Sequence, residues 1–192
     1  MSFMNNTPPL APQERKLLLQ LARESIRHGS RHGRPPAVRL EELPPPLRQP
    51  RATFVTLEEH GQLRGCIGSL EARRPLAEDV IHNAFAAAFS DPRFPPVSEE
   101  EVEGLDIHIS VLSPLEEIHF ENEQDLLTKI RPGIDGLVLE DGPHRGTFLP
   151  AVWESLADKR AFLQHLKMKA GLPPDYWSEN LRVWRYTAEV IE

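Results

Sequence analysis

Two periods organise the apolar positions of the chain. From Pro12, Leu17, Leu18, Leu21 and Ile26 recur on one helical face, with Pro12 suited to a first turn and Gly29 to a stop. Arg31 to Pro50 holds Pro35, Pro36, Pro44, Pro45, Pro46 and Pro50, and reads as an extended connector on the surface. Arg51 to Leu57, rich in Thr, Phe and Val, reads as a strand. Glu58-Glu59-His60-Gly61 is its turn, and Gln62 to Leu70 returns as the second strand of a hairpin. Pro75 opens a helix to Phe89, with Leu76, Val80, Ala84 and Ala87 or Ala88 inward.

The second half repeats these periods. Ser98 and Glu101 have capping-box spacing ahead of a short acidic turn. Leu105 to Leu112 alternates, with Leu105, Ile107, Ile109 and Val111 on one side and Asp106, His108 and Ser110 on the other. Asn122 to Arg131 is a short helix ended by Pro132-Gly133. A second hairpin runs from Leu137 through Asp141-Gly142-Pro143-His144 to Leu149, and Pro150 opens helical structure. Lys159 to Lys169 is an amphipathic helix with Gly171 as its stop, and Leu181 to Ile191 is a final strand. Both hairpins read as strand, acidic turn entry, Arg-Gly on the return strand, then helix. The plan suggests a duplicated unit in which Thr147 takes the place of Cys66.

Composition narrows the classes. Hydrophobic content of 40% with 27% charged residues describes an ordinary globular protein, and 192 residues are ample for a core. A net charge of −7 argues against nucleic-acid binding, which needs a basic face. A single cysteine excludes an internal disulfide and an iron–sulfur cluster held by this chain alone. It points to a reducing compartment, with the cytoplasm as the default. No metal-ligand spacing, phosphate loop or cofactor motif is present, and no apolar run reaches membrane-spanning length. Met1 to Leu10 lacks a signal-peptide core and reads as a flexible tail, leaving residues 11–192 as the folded part.

Candidate chemistry centres on Leu63-Arg64-Gly65-Cys66-Ile67-Gly68-Ser69. Gly65 and Gly68 permit close approach of a ligand or another backbone, and Arg64 brings a cation near the thiol. Two readings stay open: a thiolate favoured by cation and amides, or a small apolar filler in a tight strand crossing. For a reactive thiol, His82 is the base expected by residue type. Asn83 is a second polar candidate on the same helix. Asp91 and Arg93 either bind a substrate across a cleft or pair with each other to cap their loop.

Together these segments resemble the AMMECR-type domain family. The resemblance is carried by Leu63–Ser69, Arg74-Pro75-Leu76, Asn83-Ala84, Asp91-Pro92-Arg93-Phe94 and Ile109–Pro114. Gly133-Ile134-Asp135-Gly136-Leu137 and Arg145–Pro150 continue it. The tail from Leu166 through Trp177 to Arg185-Tyr186 is similar to the bacterial branch called AmmeMemoRadiSam system protein A. The family pattern has an acidic residue where this chain has His108, and a glutamine where it has Ala151. The resemblance implies an α+β fold of two lobes, mostly antiparallel strands flanked by helices, with a cleft near the cysteine segment. It implies a Memo-like protein and a radical SAM protein as partners. It leaves two roles: binding a small molecule, peptide or partner, or catalysis by Cys66 as nucleophile or covalent carrier. The expected ligand-facing set is Arg64, Gly65, Cys66, Gly68, Asn83, Asp91, Arg93, Arg145 and Thr147.

Overall fold

A computed structural model describes residues 7–192; the first six residues of the expected tail lie outside them. The chain divides into two compact units, the first running to Pro114 and including Glu189–Glu192, the second spanning Leu115–Ala188. Each unit is an antiparallel-type sheet covered by helices, so the fold is α+β.

The first unit begins with α1, Pro12–His32. Gly29 lies inside this helix and does not end it. A Cβ there would fall 2.5 Å from Phe89 and 2.7 Å from Phe85, so its absence lets two helices cross closely. The stop is Gly33, left-handed at φ 71°, whose N–H donates to the Gly29 carbonyl. Leu10, expected in the loose tail, is buried, and its N–H donates to Glu189 Oε1 at 3.1 Å. The proline-rich connector contains a 3-10 turn, Leu40–Glu42, and one α-helical turn, α2 (Pro45–Arg48), which anchors it through the buried Leu47.

The hairpin consists of β1 (Thr53–Glu59) and β2 (Gln62–Gly68), joined by His60 and Gly61, both at positive φ. Such a pair matches the right-handed twist of the strands. The helix α3 (Leu76–Phe89) packs on β1 and β2 and against α1. A 3-10 segment, Glu99–Gly104, leads into β3 (Asp106–Leu112), which pairs with β1. Val55, Leu57, Ile107, Ile109 and Val111 meet Val80, Ala84 and Ala87 of α3 in one core.

The second unit holds β4 (Glu116–Ile118), α4 (Glu123–Lys129), β5 (Gly136–Asp141), β6 (His144–Phe148), α5 (Lys159–Lys169) and β7 (Arg182–Tyr186). Its sheet order is β4-β7-β5-β6. Leu137, Leu139 and Val183 pack with Phe162, Leu166 and Trp153. The expected single strand over 181–191 is two strands, because β8 (Ala188–Ile191) joins the first sheet, whose order is β2-β1-β3-β8.

Candidate functional site

On β1 and β2 the alternation of side chains sorts the cysteine motif onto two faces. Gly65 faces α3, where a Cβ would stand only 2.0 Å from the Ala87 carbonyl oxygen. Cys66 therefore points to the other face of the sheet and is half-buried. Thr56 lies directly opposite it on β1, with Oγ1 3.3 Å from Sγ. Thr56 is also paired with His108 on β3. Cross-strand partners share a face, so thiol, hydroxyl and imidazole form a row across three strands. Glu58 Oε2 and Glu192 Oε2 stand 3.7 Å and 3.9 Å from the His108 ring nitrogens.

Beside this row, the Asp91-Pro92-Arg93-Phe94 turn closes the edge of β2. Asp91 is buried, and its Oδ2 accepts the Cys66 N–H at 3.1 Å. Its carboxylate also accepts the Arg93 N–H at 3.1 Å and two guanidinium bonds at 3.0 and 2.7 Å. The Arg93 bonds above all hold the Asp91 carboxyl well below the usual carboxylate range, against the opposing effect of burial. Of the two alternatives for this pair, mutual pairing and loop capping is the one observed. The Arg93 guanidinium is half-exposed over the Phe94 ring and within electrostatic range of the Cys66 sulfur.

Arg64 does not supply the expected cation to the thiol. Its side chain is 12% exposed and reaches along the loop after Phe94. Nε donates to Glu101 Oε2 at 2.9 Å, Nη1 to the Pro95 carbonyl at 2.7 Å and Nη2 to the Pro96 carbonyl at 3.3 Å. This pairing lowers the pKa of Glu101. The capping-box spacing of Ser98 and Glu101 thus serves a second purpose, aiming the carboxylate at Arg64.

The expected base is misplaced. His82 lies exposed on α3, a helix that packs on the opposite face of the sheet from the thiol. Partial desolvation of its ring, with Arg74 nearby, lowers its pKa. Asn83 faces the interior but belongs to a structural network. Its Nδ2 donates to Thr53 Oγ1 at 2.9 Å and Asp79 Oδ2 at 3.0 Å, while the Asp79 carboxylate also accepts from Thr53 Oγ1 at 2.6 Å and from Arg74 Nε at 3.0 Å. These bonds satisfy buried polar groups and pin α3 to β1. Gly68 leaves room for the Phe54 ring and the Thr53 carbonyl. Arg145 and Thr147 belong to the second unit. Arg145 is exposed beside Glu140 at 3.5 Å, and the Thr147 hydroxyl donates to the Leu137 carbonyl at 2.9 Å.

The structure thus gathers Arg64, Gly65, Cys66, Gly68, Asp91 and Arg93 and leaves His82, Asn83, Arg145 and Thr147 outside the cluster. Thr56 and His108 join it instead. Parity along β1 carries that signal, since Phe54, Thr56 and Glu58 share one face and Thr56 stands opposite Cys66; the pairing register shifts beyond Leu57 and leaves Arg64 out of the row. Among the described residues, no group of three or more His, Cys, Asp or Glu side chains is disposed to hold a metal ion, and no helix is long and apolar enough to cross a membrane. A groove of about 910 Å³ lies in the first unit between α1 and the Asp106–His108 end of the sheet, away from the Leu63–Ser69 segment.

Two sheets, a glycine-bearing return strand at the edge of each, and a thiol set in a capped edge strand define the class of protein. The chain belongs to the AMMECR1 family, whose profile matches residues 19–191. A protein of Methanothermobacter thermautotrophicus is 43% identical over 188 residues, covering 95% of this chain and 96% of its own. Protein MK0488 of Methanopyrus kandleri is 38% identical over 190 residues, covering 95% of this chain and 90% of its own. The crystal structure of the uncharacterized protein PH0010 from Pyrococcus horikoshii superposes with a TM-score of 0.87 at 37% identity, covering 94% of this chain and 92% of the other. These relatives are archaeal.

Proposed function

We propose that this protein is the binding component of a cytoplasmic modification system whose chemistry resides largely in its partners, and that it engages them through the solvent face of the first sheet around Cys66. The observation that carries the reading is the engagement of Arg64 and Asp91. Both charged groups of the flanking motifs hold the loop after α3 onto the edge of β2. They leave a braced surface with one half-buried thiol at its centre, not a set of free catalytic charges. By resemblance to the AmmeMemoRadiSam branch, the partners are a Memo-like protein and a radical SAM protein. Mixing the purified proteins and measuring association by calorimetry tests this. Thr56→Lys, which projects a long cation from the middle of the row, should abolish the complex. Absence of any complex ends the partner role, and a complex indifferent to Thr56→Lys ends the assignment of the surface.

A second reading has its own observation, the Thr56 hydroxyl 3.3 Å from the sulfur with His108 next in the row. Cys66 would then be a nucleophile or covalent carrier for a small anionic substrate, with Arg93 as the nearby cation and His108, not His82, as the base. The rate of Cys66 alkylation against pH in wild type and His108→Gln tests it. Identical profiles refute a base at His108.

A further inference from the structure

We propose that the groove between α1 and the His108 end of the first sheet is a docking site for a lysine- or arginine-bearing segment of a partner protein. The inference rests on the reading of this protein as a binding component and names the chemistry of what it binds.

The two walls differ. On the α1 wall, Leu17 and Leu21 are half-buried, packed onto the core from one side and open to the groove on the other; Ile107 continues this apolar surface. The sheet wall carries Glu58, Asp106 and Glu192 around His108. Among the described residues, none of these three carboxylates has a lysine or arginine within ion-pair distance, only the imidazole at 3.7 and 3.9 Å. The groove's arginines are already engaged. Arg23 donates to the Val102 and Leu105 carbonyls, and Arg27 pairs with Glu24 and Glu103. Lys16 stands on the opposite, α1 wall.

An aliphatic stem ending in a cation matches both walls at once, with its methylenes on the leucines and its head at the carboxylates. An acidic ligand would meet three like charges, and a wholly apolar one would strip them of water without a partner. Length argues for a chain segment. From Lys16 to Arg27 the α1 wall extends about 16 Å, the span of about five extended residues. The groove also continues the proposed surface, because His108 belongs to the row of Thr56 and Cys66. A docked segment would lie about two strand spacings, roughly 10 Å, from the thiol.

The test is fluorescence anisotropy of labelled Leu-Lys-Leu-Lys-Leu-Lys at low salt with the full chain, beside analogues carrying Ser or Glu in place of Lys. The lysine peptide should bind saturably and weaken with salt, and the other two should not bind. Glu58→Gln with Asp106→Asn should weaken binding about tenfold. Glu41→Gln with Glu100→Gln removes the same charge away from the groove and should change it by less than about twofold. Unfolding curves verify that both pairs of variants fold. Equal losses from the two pairs, or binding of the glutamate peptide, would overturn the proposal. Full competition by spermidine at the concentration of the lysine peptide would reassign the groove to small amines and overturn it too. The complex with the Memo-like and radical SAM proteins is measured separately, so either claim can fail while the other stands.

Discussion

Replacing Gly65 by alanine probes the contact on which the whole motif depends. An added Cβ would lie 2.0 Å from the Ala87 carbonyl oxygen and 3.0 Å from its carbon, both backbone atoms. An ordinary carbon–oxygen contact is about 3.3 Å, so β2 and α3 must separate by roughly 1.3 Å. That displacement loosens the packing of Val55 and Leu57 on Val80 and Ala84, all fully buried. Backbone cannot swing aside as a side chain can, so the cost belongs at the upper end of overpacking, about 3 kcal/mol. For a chain of this size it lowers Tm by roughly 6–12 °C. Gly104→Ala is the matched control, because a Cβ there meets nothing within 4 Å; it should be neutral or stabilise by about 0.5 kcal/mol. Urea unfolding followed by far-UV circular dichroism is the assay. Trp153, Trp177 and Trp184 all lie in the second unit, so tryptophan fluorescence reports that unit separately. A loss below about 0.5 kcal/mol for Gly65→Ala would refute the close approach of β2 to α3.

Arg64→Ala should cost stability, about 2 kcal/mol, because it removes a mostly buried ion pair and two carbonyl caps; a double-mutant cycle with Glu101→Ala should recover about 1 kcal/mol of coupling. Asp91→Asn should destabilise by about 2 kcal/mol at neutral pH. Because the folded-state pKa of Asp91 lies below the unfolded value near 3.9, its stabilisation is complete above that value and is lost on further acidification. The gap between wild type and variant in unfolding curves against pH should therefore close in strong acid. Burial pushes the Tyr186 phenol up to about 12. Protonated Tyr186 thus favours the fold fully below pH ~10, and that contribution is lost as pH rises through 12. Absorbance titration of Tyr176→Phe, which leaves Tyr186 as the sole tyrosine, should show ionisation late and coincident with unfolding.

What was legible in the sequence was local. Helix α5 begins and ends at the expected residues because its apolar period is strong, and β3 follows its alternation to within one residue. The failures are non-local. Gly29 carries the same local signal as a stop, and only the rings of Phe85 and Phe89, over fifty positions away, make it an interior residue. Alternation runs unbroken through Thr187, so nothing local marks the passage from β7 to β8. Arg64 was rightly placed beside Cys66 in sequence, yet its partners lie 31 to 37 positions on, and they decide its role. Residue type alone points to His82 as a base; nothing local tells which face of the sheet α3 covers.

The duplicated plan read from the two hairpins goes further in the structure than in the sequence. Sheet orders β2-β1-β3 and β6-β5-β7 match, and each Arg-Gly glycine lies beneath the helix that follows: Gly65 under Ala87, and Gly146 with a Cβ position 3.0 Å from the Ala170 nitrogen. The fourth strands are exchanged. Strand β4 follows β3 but pairs with β7, and β8 follows β7 but stands beside β3. The second sheet is therefore complete within Leu115–Ala188, whereas the first takes its fourth strand from the far end of the chain. A chain ending at Pro114 loses the buried Ile191, the Glu189 carboxylate that holds Arg15 and the Leu10 N–H, and the cover on the edge of β3. Ile191 alone is worth about 2 kcal/mol of burial, and an uncovered edge strand recruits other chains. Residues 7–114 should therefore unfold at markedly lower urea and self-associate in sedimentation. Fusing residues 187–192 to that fragment through a flexible linker should restore a monomer. A fragment that is monomeric and fully stable without them would show that the exchanged strand closes the sheet without supporting it.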